Sequence, residues 1–282
     1  MIYNVYCLLD NLNRPSQQGK PVHLVSWNVN GLRAAGRKGL ADWLARCAPD
    51  ILCMQETRAL PQQLSPQLRH PPGYHSYWFW AEKKGYSGVG LYSKTRPTDV
   101  RLGLGLPRFD HEGRVLTAHY PNFTLVNAYF PNGQWDHARV PFKMDFCAAL
   151  LHYCQQLRQS CSALVLCGDF NTAHQPIDLA RPQANGQNTG FLPQERAWID
   201  DLMAAGYVDI FRSFHPEPGH YTWWTYRNQA RQRNLGWRID YHFVTPELVP
   251  YVAAADHMPD VLGSDHCPIG LQLDGHSSSR ST

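Results

Sequence analysis

No apolar run in the 282 residues is long enough to cross a bilayer as a helix, so a helical membrane span is excluded. Nothing reads as a low-complexity linker and no short-period repeat is visible, which leaves one large domain as the simplest organisation. None of the eight cysteines forms a C-x-x-C pair, which removes the usual signature of a structural zinc site. Cys47, Cys53 and Cys167 sit inside apolar segments, where the free thiol behaves as a small hydrophobe. A reduced chain in the cytoplasm is therefore expected rather than a disulfide framework. Charge is also sparse, at 17% of residues, and a formal net charge of +3 does not by itself argue for nucleic acid. The opening residues 1–20 lack the basic start and long apolar core of a secretory signal and read as a flexible extension. Residues 21–274 read as the folded domain and residues 275–282 as a frayed tail.

What the chain does have is apolar and aromatic substance, 43% and 12% of its residues, enough for a sizeable core. Ala163–Cys167 is an unbroken apolar run, the mark of a strand buried on both faces. It ends in Gly168, Asp169 and Asn171. Val22–Trp27 is a second strand, delivering Asn28 into a loop, and Ile51–Met54 a third, ending in Gln55-Glu56. A helix is predicted from about Arg37, on the spacing of Leu40, Trp43, Leu44 and Cys47. Tyr74–Trp80, Val89–Ser93, Arg114–Tyr120 and Phe123–Phe130 read as strands of an antiparallel meander, the last pair a hairpin turning at Pro121-Asn122. The glycines of Gly85–Gly90 do not open a helix, so a nucleotide-cradling loop is not expected there. Phe142, Phe146, Leu150, Tyr153 and Leu157 mark a long amphipathic helix, and Pro193 and Gly206 bracket another. Tyr207–Phe211 reads as extended, Trp237–Phe243 alternates as a strand, and Ile269–Leu273 is the last strand. The expected fold is α/β, a four-layer αββα sandwich: two mixed sheets face to face with helices outside.

Six strand ends carry polar groups suited to phosphate chemistry: Asn28, Glu56, Tyr129, Asp169 with Asn171, Asp240, and Asp265 with His266. One such end is most simply a turn. Six converging on one edge would make an acidic, amide-rich pocket, which suits a hard cation such as Mg²⁺. His266 is the side chain able to move a proton near neutrality, and Asp240 beside it could fix its orientation.

The motifs Ser26-Trp27-Asn28-Val29-Asn30-Gly31-Leu32-Arg33, Gln55-Glu56-Thr57, Gly85–Gly90, Cys167–His174, Gly236–Tyr241 and Gly263–Pro268 occur in that order. Together they resemble the exonuclease III class of apurinic/apyrimidinic endonucleases, within the exonuclease–endonuclease–phosphatase superfamily. The resemblance runs from about Val22 to Leu273. It implies Mg²⁺-dependent cleavage of DNA 5′ to an abasic site, with Mn²⁺ as a substitute ion. Exonuclease, 3′-phosphatase and uracil-directed activities are further members of the same repertoire. It also implies a monomer acting on double-stranded DNA at abasic sites or 3′ ends. Glu56 matches the principal metal ligand, with Asn28 and Asp265 beside it; Asp169, Asn171 and His266 lie at or near the ion. Asp169 and Asn171 match the pair facing the scissile phosphate, Tyr129 the phenol next to it, and Asp240 with His266 the dyad. Asp169 and His266 both remain candidates for the general base, and the number of ions stays open.

For DNA binding, the resemblance assigns Trp223, Trp224 and Trp237 to the walls of the sugar pocket and Asn185 and Asn188 to the target phosphate. Tyr86, Lys84, Gly31 and Arg33 are backbone contacts on the same reading. Arg227, Arg231, Arg233 and Arg238 fall in an acid-free run beside these aromatics and read as a phosphate-gripping edge. Two departures stand out. Position 30 is Asn where some relatives carry Asp, and Gln134-Trp135 occupies a place where some carry a cation that enters the DNA. A lipid or inositol phosphatase would share Asn28, Glu56, Asp169, Asn171 and Asp265-His266, but would not need Trp223-Trp224 and the Arg-rich loop. A catalytically dead DNA-binding relative would be expected to have lost part of the set.

Overall fold

Apolar runs without alternation demand cover on both faces, and they become the middle strands of two six-stranded sheets. The computed structural model describes residues 19–161 and 163–275. The strands are β1 (Gly19–Asn28), β2 (Ile51–Gln55), β3 (His75–Phe79), β4 (Val89–Ser93), β5 (Asp99–Leu102) and β6 (Val115–His119). They continue with β7 (Thr124–Tyr129), β8 (Leu164–Asp169), β9 (Val208–Asp209), β10 (Asp240–Val244), β11 (Val252–His257) and β12 (Ile269–Gly275). One sheet runs β11-β12-β1-β2-β4-β3 and the other β5-β6-β7-β8-β10-β9. Each holds a single parallel pair, β1 with β2 and β7 with β8, among antiparallel neighbours. The two sheets therefore repeat one plan, and in both the parallel pair ends on the same edge.

Leu24, Cys53 and Leu91 from the first sheet meet Leu125, Val165 and Cys167 from the second to form the inner core. Outside the second sheet, the helices Val140–Ser160 and Pro193–Ala204 lay Phe146, Leu150, Trp198 and Ile199 over Leu164, Leu166 and Phe243. Outside the first, the helix Leu40–Cys47 covers Trp27, Leu52 and Tyr92 with Trp43 and Leu44. This is the expected four-layer α/β sandwich. Gly168 is required within β8: at φ 140° a Cβ there would stand 1.8 Å from the Ala128 carbonyl oxygen.

Local differences from the sequence reading have physical causes. β1 begins at Gly19, paired with Gly275, so the expected flexible extension stops short of Gly19 and Lys20; residues 1–18 and 276–282 lie outside the described residues. Tyr207–Phe211 is extended only at Val208–Asp209. Ile210–Phe214 winds into a helix that buries Ile210 and Phe211. β10 starts at Asp240 rather than Trp237, because Trp237 pairs instead with Trp223 and Leu179. The edge strand β11 has three alanines, poor strand formers, and left no alternating signal.

Candidate active site

The pairing register brings the polar strand ends together. Asn28 stands opposite Gln55, Tyr129 opposite Asp169, and Asp169 opposite Asp240. Just beneath, the two sheets are tied by buried amides: Gln55 Nε2 donates to Asn127 Oδ1 at 2.8 Å, and Asn127 Nδ2 to the Gly90 carbonyl at 2.9 Å. Buried polar groups of this kind fix one register of one sheet on the other.

At the edge, Asn28 Nδ2 bridges two carboxylates, Asp169 Oδ2 at 2.8 Å and Glu56 Oε2 at 3.0 Å. Asn28 Oδ1 accepts the Asn30 backbone N–H at 2.9 Å, so Asn28 is a clamp as well as a candidate ligand. Asn30 Nδ2 donates to Asp265 Oδ1 at 2.7 Å, and Trp223 Nε1 to Asp265 Oδ2 at 3.1 Å. The amide at position 30 thus serves as a donor to Asp265 where a carboxylate could not. Asp169 Oδ1 accepts the Asn171 N–H at 2.8 Å, and Asn171 Nδ2 reaches the Phe130 carbonyl at 3.0 Å. Glu56, Asn30, Arg58 and Asn171 all hold left-handed backbone, φ 43° to 56°. Each costs about 1–3 kcal/mol, and such strain gathers where a site must be pre-set.

His266 lies between two acids. Its Nδ1 is 2.8 Å from Asp240 Oδ2, and its Nε2 faces Asp169 Oδ2 at 3.9 Å. Burial works against its charge, but Asp240 and then Asp169 outweigh it and lift the imidazolium to about 10. Burial pushes Asp169 up to about 7, with Asp240 adding to the rise and His266 opposing it. Near neutrality His266 is accordingly a cation, and Asp169 is the group with a lone pair to offer. Burial, and then Glu56, raise the Tyr129 phenol well above its ordinary value, so it is a neutral donor.

Glu56, Asp169, Asp240 and Asp265 crowd one pocket, and Asp240 Oδ1 is buried without a hydrogen-bond partner. Ligand atoms of Asp169, Asp240 and His266 lie within 4.8 Å of one another. A buried acidic cluster with an unpaired carboxylate oxygen fits a bound cation. Glu56 also pairs with the Arg58 guanidinium.

Trp223 and Trp237 meet edge to face at 6.3 Å beside this pocket, and Phe191 adds a ring 6.4 Å from Trp237. Ile239 packs in the same cluster. Trp224 does not belong to this wall. Its side chain is buried under Arg231, with Nε1 on Asn234 Oδ1 at 3.2 Å, because neighbouring residues of an extended segment point opposite ways. The Arg-rich run is corrected likewise. Arg238 is fully buried on Asp178 and Asp209, and Arg231 donates to the carbonyls of Pro259, Val261 and Ser264. Both hold the fold, which leaves Arg227 and Arg233 exposed. Arg33 is exposed on the first turn after the Asn28–Gly31 loop. Asn188 Nδ2 donates to Asn185 Oδ1 at 2.7 Å in the loop that reaches Phe191. Tyr86 accepts from Arg114 at 2.9 Å, and Arg114 in turn lies 4.8 Å from the Tyr129 ring centre.

Three supports went unread in the sequence. Glu112 holds Arg114 at 2.6 Å and Arg139 at 2.9 Å, fixing the cation beneath Tyr129. Arg58 gave no signal at all. Lys143 is wholly buried on Glu195 at 2.6 Å, and its Nζ also donates to the Asn171 carbonyl at 2.6 Å and Thr172 Oγ1 at 2.7 Å. Glu195 then accepts the Gly190 N–H at 2.6 Å. Its signal was a lysine three residues before Phe146 and seven before Leu150, on the buried stripe of its helix.

Residues 25–266 match the profile of the endonuclease/exonuclease/phosphatase family. An exodeoxyribonuclease of Bacillus subtilis (strain 168) is 45% identical over 250 residues, 88% of this chain and 98% of that one. The DNA repair nuclease APEX1 of Danio rerio is 42% identical over 263 residues, 92% of this chain and 84% of that one. Among solved structures, the 3′ phosphatase NExo from Neisseria bound to a product DNA hairpin superposes with a TM-score of 0.83. It is 30% identical, covering 90% of this chain and 99% of that one.

Proposed function

The chain belongs to the endonuclease/exonuclease/phosphatase family, and on that premise we propose that it is a Mg²⁺-dependent DNA repair nuclease. Its reaction is hydrolysis of the phosphodiester 5′ to an abasic site in duplex DNA, with 3′→5′ exonuclease and 3′-end cleaning at the same pocket. The observation that carries this reading is the bond from Trp223 to Asp265: an aromatic wall fastened to the acidic, phosphate-cutting edge. A pocket for a general phosphomonoester has no use for that wall. A nucleotide turned out of the helix does, and extrusion is cheapest where no base pairs it.

The residues divide the work. When bound, Mg²⁺ on Glu56, with Asn28 and Asp265 at its side, supplies positive charge against the phosphate oxygens; Mn²⁺ serves as the substitute. Asp169 takes a proton from the attacking water, held in place by Asn28 and Asn171. The His266 imidazolium, oriented by Asp240, and the neutral Tyr129 phenol donate toward the oxygens that gain charge. Asn171 adds an amide donor without adding negative charge. Trp223, Trp237 and Ile239 receive the sugar, while Asn185, Asn188, Tyr86, Arg33 and Arg227 grip the backbone. A reduced, cytoplasmic setting and a monomeric state complete the proposal.

A second reading, in which 3′-end removal outweighs abasic cleavage, is favoured by Trp135. It is 92% exposed on the Asn132–Trp135 loop, where it could meet a strand end. Incubation of the protein with duplexes carrying a stable abasic analogue, a recessed 3′ end, a 3′-phosphate or uracil, with Mg²⁺ or chelator, tests both. Incision of the abasic duplex with Mg²⁺ alone supports the first reading. Loss of only the 3′ groups supports the second, and no cleavage of any DNA sinks both.

A further inference from the structure

Away from the acidic pocket, a second group of metal-binding side chains stands on the loop His215-Pro216-Glu217-Pro218-Gly219-His220, just after the helix Ile210–Phe214. His220 Nε2 is 2.8 Å and His215 Nδ1 3.6 Å from the same oxygen, Glu217 Oε1. All three ligand atoms lie within 4.8 Å of one another. Atoms about 2.1 Å from a tetrahedral ion stand roughly 3.4 Å apart, so the loop needs little movement to close on one. Two histidines with four residues between them is also a spacing that zinc loops use.

The other face of His215 carries the stronger indication. Its Nε2 lies 3.0 Å from the Ala255 carbonyl oxygen and 3.3 Å from Asp256 Oδ1. A carbonyl and a carboxylate only accept, so Nε2 holds the ring proton, and in the neutral imidazole Nδ1 presents a lone pair toward Glu217. A ring whose far N–H is held by a carbonyl and a carboxylate is the arrangement that orients metal-bound histidine. With a carboxylate and a lone pair facing each other, a cation satisfies both. The rings are also pre-set: Phe211 stacks on His215 at 4.6 Å and meets His220 edge-on at 5.6 Å. Pro216 and Pro218 restrict the loop between them.

We infer that His215, Glu217 and His220 form a second metal site, for one transition ion of the Zn²⁺ class, with its remaining position left to water. Imidazole selects Zn²⁺, Co²⁺ or Ni²⁺ over Mg²⁺, which prefers oxygen ligands, so the site is chemically separate from the acidic pocket. The ion would fasten the loop that runs three residues on into Trp223, steadying the entry to the aromatic wall.

The test is a Co²⁺ titration of the chelator-stripped chain in excess Mg²⁺. The site predicts one Co²⁺ per chain, with tetrahedral ligand-field absorption, no thiolate charge-transfer band, and displacement by Zn²⁺. His215→Ala and His220→Ala should each weaken binding at least roughly tenfold, whereas Asp169→Asn should leave it intact. Should an alanine variant lose its fold by circular dichroism, His220→Gln, which keeps bulk at the loop, takes its place. Absence of the spectrum, a sulfur band, or binding unchanged in the folded His215 and His220 variants would overturn the site. Absence of the spectrum also covers the simpler alternative, in which His215 only pairs with Glu217 and Asp256.

Discussion

His266 Nδ1 and Asp240 Oδ2 lie 2.8 Å apart, buried together at the edge of the sandwich, and this contact decides the charge of the histidine. Cleavage should therefore rise as Asp169 loses its proton and fall as His266 loses its own. Without a cation the first limb lies near 7 and the second near 10; a bound cation lowers both, because positive charge favours the carboxylate and disfavours the imidazolium. Asp240→Asn removes the main support of the imidazolium and should pull the alkaline limb down toward the ordinary histidine range, about 6.5. Stability follows the same sign. The folded pKa of His266 is raised, so its ion pairs contribute fully below about 6.5 and fade as pH climbs toward about 10. Rate profiles and denaturant midpoints across pH check both; an alkaline limb unmoved in Asp240→Asn contradicts the dyad.

Asp169→Asn removes the group that takes the proton and should lose roughly 10²- to 10⁴-fold in rate. The carboxylate accepts on both oxygens, from Asn28 Nδ2 on one and the Asn171 N–H on the other, whereas an amide keeps a single acceptor. Relief of the raised carboxylate and loss of that acceptor work against each other, so stability should change far less than rate. Single-turnover kinetics and urea unfolding on one preparation measure both, and a variant that keeps its rate would contradict the role of Asp169.

Lys143 reaches from the helix Val140–Ser160 to the Asn171 carbonyl and to Glu195, so one buried cation holds both loops that flank the pocket. Lys143→Met strands the Glu195 charge and should cost about 3–5 kcal/mol. Adding Glu195→Gln removes the stranded charge and should restore most of the stability, but not the rate, since Asn171 still lacks its anchor. Equal recovery of both would mean that Lys143 serves the fold alone.

The two adjacent tryptophans should fail differently. Trp223→Ala should leave the melting temperature nearly unchanged and raise KM for abasic duplex about tenfold or more, as losses in an apolar pocket do. Trp224→Ala empties a buried site under Arg231 and should cost about 3–5 kcal/mol. Exchange of these phenotypes would reverse the assignment of the wall.

The strands and the acidic edge were legible because unbroken apolar runs ended in polar residues. Asn28, Glu56, Tyr129 and Asp169 sit where such a run stops, Asp240 where a strand begins and His266 just before one, and the pairing register gathers these ends. What stayed hidden depends on direction rather than type. Arg231 and Arg238 have the composition of a DNA-gripping loop, yet both turn inward, to backbone carbonyls in one case and to Asp178 and Asp209 in the other. Trp223 and Trp224 differ only in which face of one short segment they occupy. The partners that settle such choices, such as Asp209 for Arg238 and Glu195 for Lys143, lie 29 and 52 residues away.

The central claim is that the Asp169–His266 edge cuts DNA beside an abasic site. Wild type and Asp169→Asn should be incubated side by side with a duplex carrying one stable abasic analogue in Mg²⁺, with product ends mapped at nucleotide resolution. The prediction is a single wild-type cut 5′ to the analogue leaving a 3′-hydroxyl, and a variant that shifts the duplex in a gel without cutting it. An intact duplex with wild type, or equal cutting by Asp169→Asn, would contradict the claim.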